Sequence, residues 1–167
     1  MKNTFIYFVS LLFMLSSCKE NTSAKTERNG EPDVYNVEDD NAKMNQAMEA
    51  AKNSVQEFQD ALLSDNPNFE FFAIKQKFEA IEGTEHIWIQ DIQLVDTDFM
   101  GIVANEPVYA QKVKLGDTIS IDRSNISDWM YYDEGKVVGG YTIRVIRDEL
   151  SPEEQAQFDD ENGLIFK

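Results

Sequence analysis

Two short stretches hold the residue types from which a site could be built. The first, ISDWMYYDEGKVVGGYTIR from Ile126 to Arg144, offers Trp129, Tyr131 and Tyr141 as stacking surfaces, with Asp128 and Arg144 to orient a polar ligand. A structural role is the favoured reading, in which Asp128 caps a turn or pairs with Arg144, and the binding site is the alternative. The second, TEHIWIQ, carries His86 and Trp88, which share a face if the strand there is regular. His86 is the only histidine, so no multi-histidine metal site is available and a Ser-His-Asp triad would have to use it. A packed or hydrogen-bonded histidine is the favoured reading over a general base. No catalytic residue, metal ligand or cofactor is therefore assigned; Asp128, Trp129, Tyr131, Tyr141, Arg144, His86 and Trp88 are nominated for binding.

Other chemical signatures fail on spacing. DTDFMG has Met100 and later Pro107 where an EF-hand needs ligands, and DDENG runs out of chain before a terminal glutamate. LGD and VVGGY lack the lysine and spacing of a phosphate loop. The chain carries 15 cations against 31 acids, a net charge of −16. Nucleic acid is excluded as a partner, because phosphate binding needs a basic face.

The elements that must position these residues are legible by period. Met44, Met48, Ala51, Val55, Phe58 and Leu62 recur at steps of four and three, predicting one amphipathic helix that stops at Asp65-Asn66-Pro67. After Pro67 the period changes to two in FEFFAIKQKFEAI, EHIWIQDIQLV and DFMGIVA, the pattern of half-buried antiparallel strands. VKLGDTISI adds a turn and a strand, and TIRVI reads as the last strand. Asp133-Glu134-Gly135 fits a three-residue hairpin loop, and Gly139-Gly140 suggests a bulge or a close backbone approach. SPEEQAQF closes with Ser151 as N-cap and Pro152 at the first helical position. The expectation is one α+β domain over residues 42–167, a strongly curved, barrel-like antiparallel sheet with an N-terminal amphipathic helix and a short C-terminal helix.

Ahead of that domain, one lysine, an apolar run from Phe5 to Leu15 and Ser16-Ser17-Cys18 make a signal peptide over residues 1–17 whose end resembles a bacterial lipobox. Cys18 is the only cysteine, so it has no disulfide partner and reads as a lipidation site carrying palmitate-type chains. Residues 18–41 are polar and read as a disordered acidic tether. The expected location is the bacterial cell envelope, anchored by lipid at the outer membrane. Cleavage removes Lys2 and no acid, leaving 14 cations against 31 acids and a net −17. The expected state is a monomer with an unidentified protein or small-molecule ligand.

From about Phe72 to Phe158 the chain resembles the bacterial domain-of-unknown-function family 2314, the YegJ-like proteins. FAIKQKF, EHIWI, the Gly101 strand followed by NEPVY, VKLGDTISI and above all ISDWMYYDEGKVVGGYTIRVI with its trailing SPEE carry the likeness. The resemblance implies a small α+β domain without an established activity, more typical of a binding module than of an enzyme. Positions matching its pattern are Glu85, His86, Trp88, Asn105, Pro107, Gly116, Asp117, Ser127, Asp128, Trp129, Tyr131, Gly140, Tyr141 and Arg144. A non-catalytic envelope binding module is the leading expectation. The alternatives are an inhibitor or immunity-type protein for a basic partner, and an envelope hydrolase using His86 and Asp128.

Overall fold

The computed structural model describes residues 24–26, 34–36, 41–80 and 83–166. The segment read as a signal peptide, residues 1–17, and Cys18 lie outside the described residues. Within the segment read as a tether, β1 (Ala24–Thr26) and β2 (Val34–Asn36) pair antiparallel.

The helical period between Met44 and Leu62 is realised as two helices, α1 (Ala42–Asn53) and α2 (Val55–Leu62). Asn41 caps the first by accepting from the Met44 amide at 3.0 Å. The expected single helix breaks at Ser54, whose hydroxyl donates back to the Ala50 carbonyl at 2.8 Å, a bond that bends helices. Met44, Ala47, Ala51, Phe58 and Ala61 form the buried stripe.

The strands are β3 (Phe69–Glu79), β4 (Thr84–Val95), β5 (Asp98–Val103), β6 (Thr118–Ile121), β7 (Ile126–Asp133) and β8 (Lys136–Gly139). They form one six-stranded sheet in the order β6-β5-β4-β3-β7-β8, every neighbouring pair antiparallel. The fold is therefore α+β. The sheet is open, which corrects the barrel-like expectation: β6 and β8 are its edges, and the C-terminal tail lies along β8 through a parallel bridge from Phe166 to Val137. Closure would need a further strand. The chain instead leaves the sheet at Gly139-Gly140, and TIRVI lies in a helix, α3 (Tyr141–Asp148), rather than in a strand. Its β-branched residues favour strand by propensity, but tertiary contacts described below override them. The hairpin from β7 to β8 turns on Glu134 and Gly135 alone, both at positive φ (51° and 75°), one residue tighter than the sequence suggests.

α4 (Pro152–Asn162) starts as expected, with a reciprocal capping box between Ser151 and Glu154 and Pro152 in the first turn. The helices α1 and α2 cover one face of the sheet, burying Phe58 among Ile74, Ile89, Phe99, Ile121 and Trp129. On the other face Ala73, Met130 and Val137 meet Leu164, Phe158 and Phe166 from α4 and the tail. Three one-residue bulges kink the strands, at Phe71 in β3, Asp91 in β4 and Ser127 in β7.

Candidate functional site

The Ser127 bulge decides where the neighbouring side chains go. In a regular strand Ile126 and Asp128 share a face; here the extra residue turns Ile126 under the helices with Trp129 and sends Asp128 to the other side, opposite Lys75. Asp128 is fully buried. Its Oδ1 accepts from the amides of Trp129 (2.8 Å) and Tyr141 (3.0 Å), and its Oδ2 from the amide (2.8 Å) and hydroxyl of Thr142. Tyr141 and Thr142 open α3, whose own N-cap, Gly140, has no side chain to offer. Asp128 supplies that cap from across the sheet, placing an acid where the helix presents unpaired amides and the positive end of its dipole.

Lys75 completes the group. It is half-buried overall, with its ammonium turned inward: Nζ donates to the Thr142 hydroxyl at 2.7 Å and sits 4.6 Å from the centre of the Trp88 ring. Burial pushes the Asp128 carboxyl above its usual range, against the pull of Lys75 and the hydrogen bonds. Burial likewise pushes the Lys75 amine down, partly opposed by Asp128.

The aromatic residues nominated for stacking are already stacked on one another. Trp129 is buried; its indole N–H donates to the Ala51 carbonyl at 2.9 Å and its ring lies near parallel to Tyr131 at 6.2 Å. Tyr131 in turn stacks on Phe72 at 5.2 Å. Tyr141 meets Trp129 edge-on at 5.5 Å, and its hydroxyl lies 2.8 Å from that of Ser54 at the helix break, where Ser54 accepts because its own proton goes to the Ala50 carbonyl. Gly139 makes this packing possible: a Cβ there would lie 2.3 Å from the Trp129 carbonyl oxygen and 2.6 Å from its ring. Arg144 donates from Nε to the Gly139 carbonyl and from a terminal nitrogen to that of Val137, and covers the Phe166 ring at 4.7 Å. Asp128, Trp129, Tyr131, Tyr141 and Arg144 thus converge on the sheet-to-helix switch, and the polar atoms of Asp128, Trp129 and Arg144 are engaged with backbone groups around it.

His86 and Trp88 sit on the other side of Lys75. His86 is exposed, with Nδ1 2.8 Å from the Ser127 hydroxyl, which itself donates to the Lys75 carbonyl. Beside them Glu85 accepts from three successive amides, Val108 (2.8 Å), Tyr109 (2.9 Å) and Ala110 (2.8 Å). Asn105 accepts from the Trp88 amide, and Asp117 from that of Lys114. The loop 104–117 is thereby lashed to β4 and seated on the core through Ala110 and Val113. Fixed backbone here carries exposed apolar side chains, Val108 at 46 % and Tyr109 at 59 %, around an open hollow of about 580 Å³. Among the described residues no group of three or more His, Cys, Asp or Glu could hold a metal ion.

Sequence reasoning grouped the motif residues but missed Lys75, Thr142 and Ser54, which tie that motif to β3 and the helix break. Lys75 looked like an ordinary outward position in FAIKQKF. Its signal is only the cross-strand register, Asp128 on one side and Trp88 on the other. Glu85 matched the family pattern, yet nothing local to it announced a clamp on a loop more than twenty residues away.

Comparison with known proteins gives the same picture of a family without an assigned activity. The family model described as an uncharacterised protein conserved in bacteria, DUF2314, matches residues 41–166. A protein of Neisseria meningitidis serogroup B named as an ankyrin repeat protein is 30 % identical, over 82 % of this chain and 57 % of its own length. The uncharacterised protein YegJ of Escherichia coli K12 is 31 % identical, over 62 % of this chain and 67 % of its own. This chain therefore spans little more than half of the Neisseria relative. No solved structure matches it.

Proposed function

This chain belongs to the bacterial DUF2314 family, and from that premise we propose that it is a non-catalytic binding module of the bacterial cell envelope, held to the outer membrane by lipid on Cys18. The observation that carries the binding reading is the loop 104–117: Glu85 fixes three of its amides while Val108 and Tyr109 stand in solvent. Ordering entropy has been met before any partner arrives, and a rigid apolar surface with an aromatic at its centre is what a binding face needs. The Neisseria relative is longer than the region it shares with this chain, which suits a domain used as one part of a larger binding protein.

An envelope hydrolase using His86 and Asp128 has less support. Asp128 is sealed from solvent with both oxygens engaged, so it is not placed to move a proton to or from a substrate. The anchor rests on the lipobox-like Leu15-Ser16-Ser17-Cys18.

Two variants test the reading together. Cys18→Ser is expected to leave the membrane fraction, whereas full retention would remove the anchor. Val108→Ser/Tyr109→Ser is expected to stay folded and membrane-bound while losing a protein that wild type captures from envelope extract. Identical capture by both would remove the loop as the binding face.

A further inference from the structure

The β3 bulge carries an aromatic outward at the end of the sheet farthest from the loop 104–117. Phe71 takes a left-handed φ of 53°, a conformation suited to glycine and costly for a bulky side chain, and it is 51 % exposed. Its ring rests against Tyr132 at 5.6 Å on the face opposite α1 and α2, while Phe72 turns under the helices to meet Phe58. Tyr132 is the register partner of Val137, whose amide donates to the Ile165 carbonyl at 2.7 Å, so the C-terminal tail lies one strand position beyond Tyr132. The tail is pinned beside β8 by buried Leu164 and by the Phe166 bridge, and the Tyr132 hydroxyl reaches its Gly163 carbonyl at 3.5 Å.

Acids surround this apolar group. Glu70 is exposed and is the cross-strand partner of Tyr132. Glu134 is exposed in the adjoining turn, where its amide donates to the Asn68 carbonyl at 3.2 Å. Glu161 is exposed near the end of α4, two residues before Gly163, whose carbonyl accepts from the Tyr132 hydroxyl at 3.5 Å. One cation, Lys136, shares the turn. An apolar centre with an acidic rim, on a chain of net charge −16, has a definite complement.

We propose that the Phe71–Tyr132 surface is a second docking face, built for a cationic amphipathic segment of a partner protein. An aliphatic or aromatic side chain of the partner packs on Phe71 and Tyr132, and its lysines or arginines meet Glu70, Glu134 and Glu161. This face is separate from Val108 and Tyr109 and stands without them. The bulge is what presents it: the extra residue frees Phe71 from the alternation that buries Phe72, and turns it to solvent.

The test uses full-length protein and a synthetic amphipathic helix of leucine and lysine as probe, titrated calorimetrically at two salt concentrations. Phe71→Gly removes the ring and suits the backbone angle, so the fold is retained; it is expected to weaken binding at least tenfold. Glu134→Gln is expected to weaken binding several-fold and to reduce its salt dependence, while Glu79→Gln, at the far end of β3, leaves both unchanged. Wild-type affinity in Phe71→Gly overturns the proposal, as does an equal effect of Glu134→Gln and Glu79→Gln, which would make the attraction one of overall charge alone.

Discussion

Asp128 shows how one carboxylate can tie a sheet to a helix. Two of its hydrogen bonds go to the first amides of α3, one to its own strand, and the hydroxyl of Thr142 links it to Lys75. Both charges lie away from water, which is costly unless each is paired and hydrogen-bonded. The cost has a pH signature. The Lys75 amine is lowered in the folded protein from its ordinary 10.5, so between the two values the unfolded chain binds more protons and stability rises with pH. Relative to Lys75→Met, wild type is therefore expected to gain stability as pH rises through that window to 10.5, and to lose it again as pH falls back through the lowered value. Urea unfolding of both proteins from neutral to alkaline pH measures this; parallel curves would mean that Lys75 keeps its ordinary pKa.

Gly139 and Gly140 make the same junction at the scale of elements. Gly139 lets the strand close over Trp129, and Gly140, at φ 64°, turns the chain into α3. Gly139→Ala would drive a methyl group into a backbone carbonyl as well as a ring, and a loss of more than about 3 kcal/mol is expected. Gly116→Ala meets no atom within 4 Å and carries only the strain of φ 83°, about 1–2 kcal/mol. Urea midpoints of the two variants compare them directly, and equal shifts would show that the close approach is not what Gly139 serves. Period and caps were legible in the sequence: the Met44–Leu62 stripe, the alternating strands and the Ser151 N-cap all name local partners. The switch at Gly140 was not. Thr142, Ile143, Val145 and Ile146 look like strand, and the group that makes them helical is a carboxylate on another strand. The open sheet was illegible for the same reason, since closure depended on whether that segment continued the sheet.

For the whole molecule, the residues that give the family its recognisable stretch build the domain, and the accessible chemistry lies elsewhere. The candidate site was half legible. The aromatics and charges of ISDWMYYDEGKVVGGYTIR do come together, but inward, because the Ser127 bulge and the helix cap consume them. Val108 and Tyr109 drew no attention from their types, and become notable only once Glu85 is seen to hold their amides. One comparison tests the proposed division of architecture from recognition most directly: the urea unfolding of Asp128→Asn beside that of Val108→Ser/Tyr109→Ser. Asp128→Asn leaves Lys75 without its buried counter-charge and is expected to cost about 3–5 kcal/mol. The loop variant is expected to unfold within about 0.5 kcal/mol of wild type, as exposed substitutions do. An Asp128→Asn protein as stable as wild type, or a loop variant that collapses with it, would contradict the proposed division between a motif that builds and a loop left free for binding.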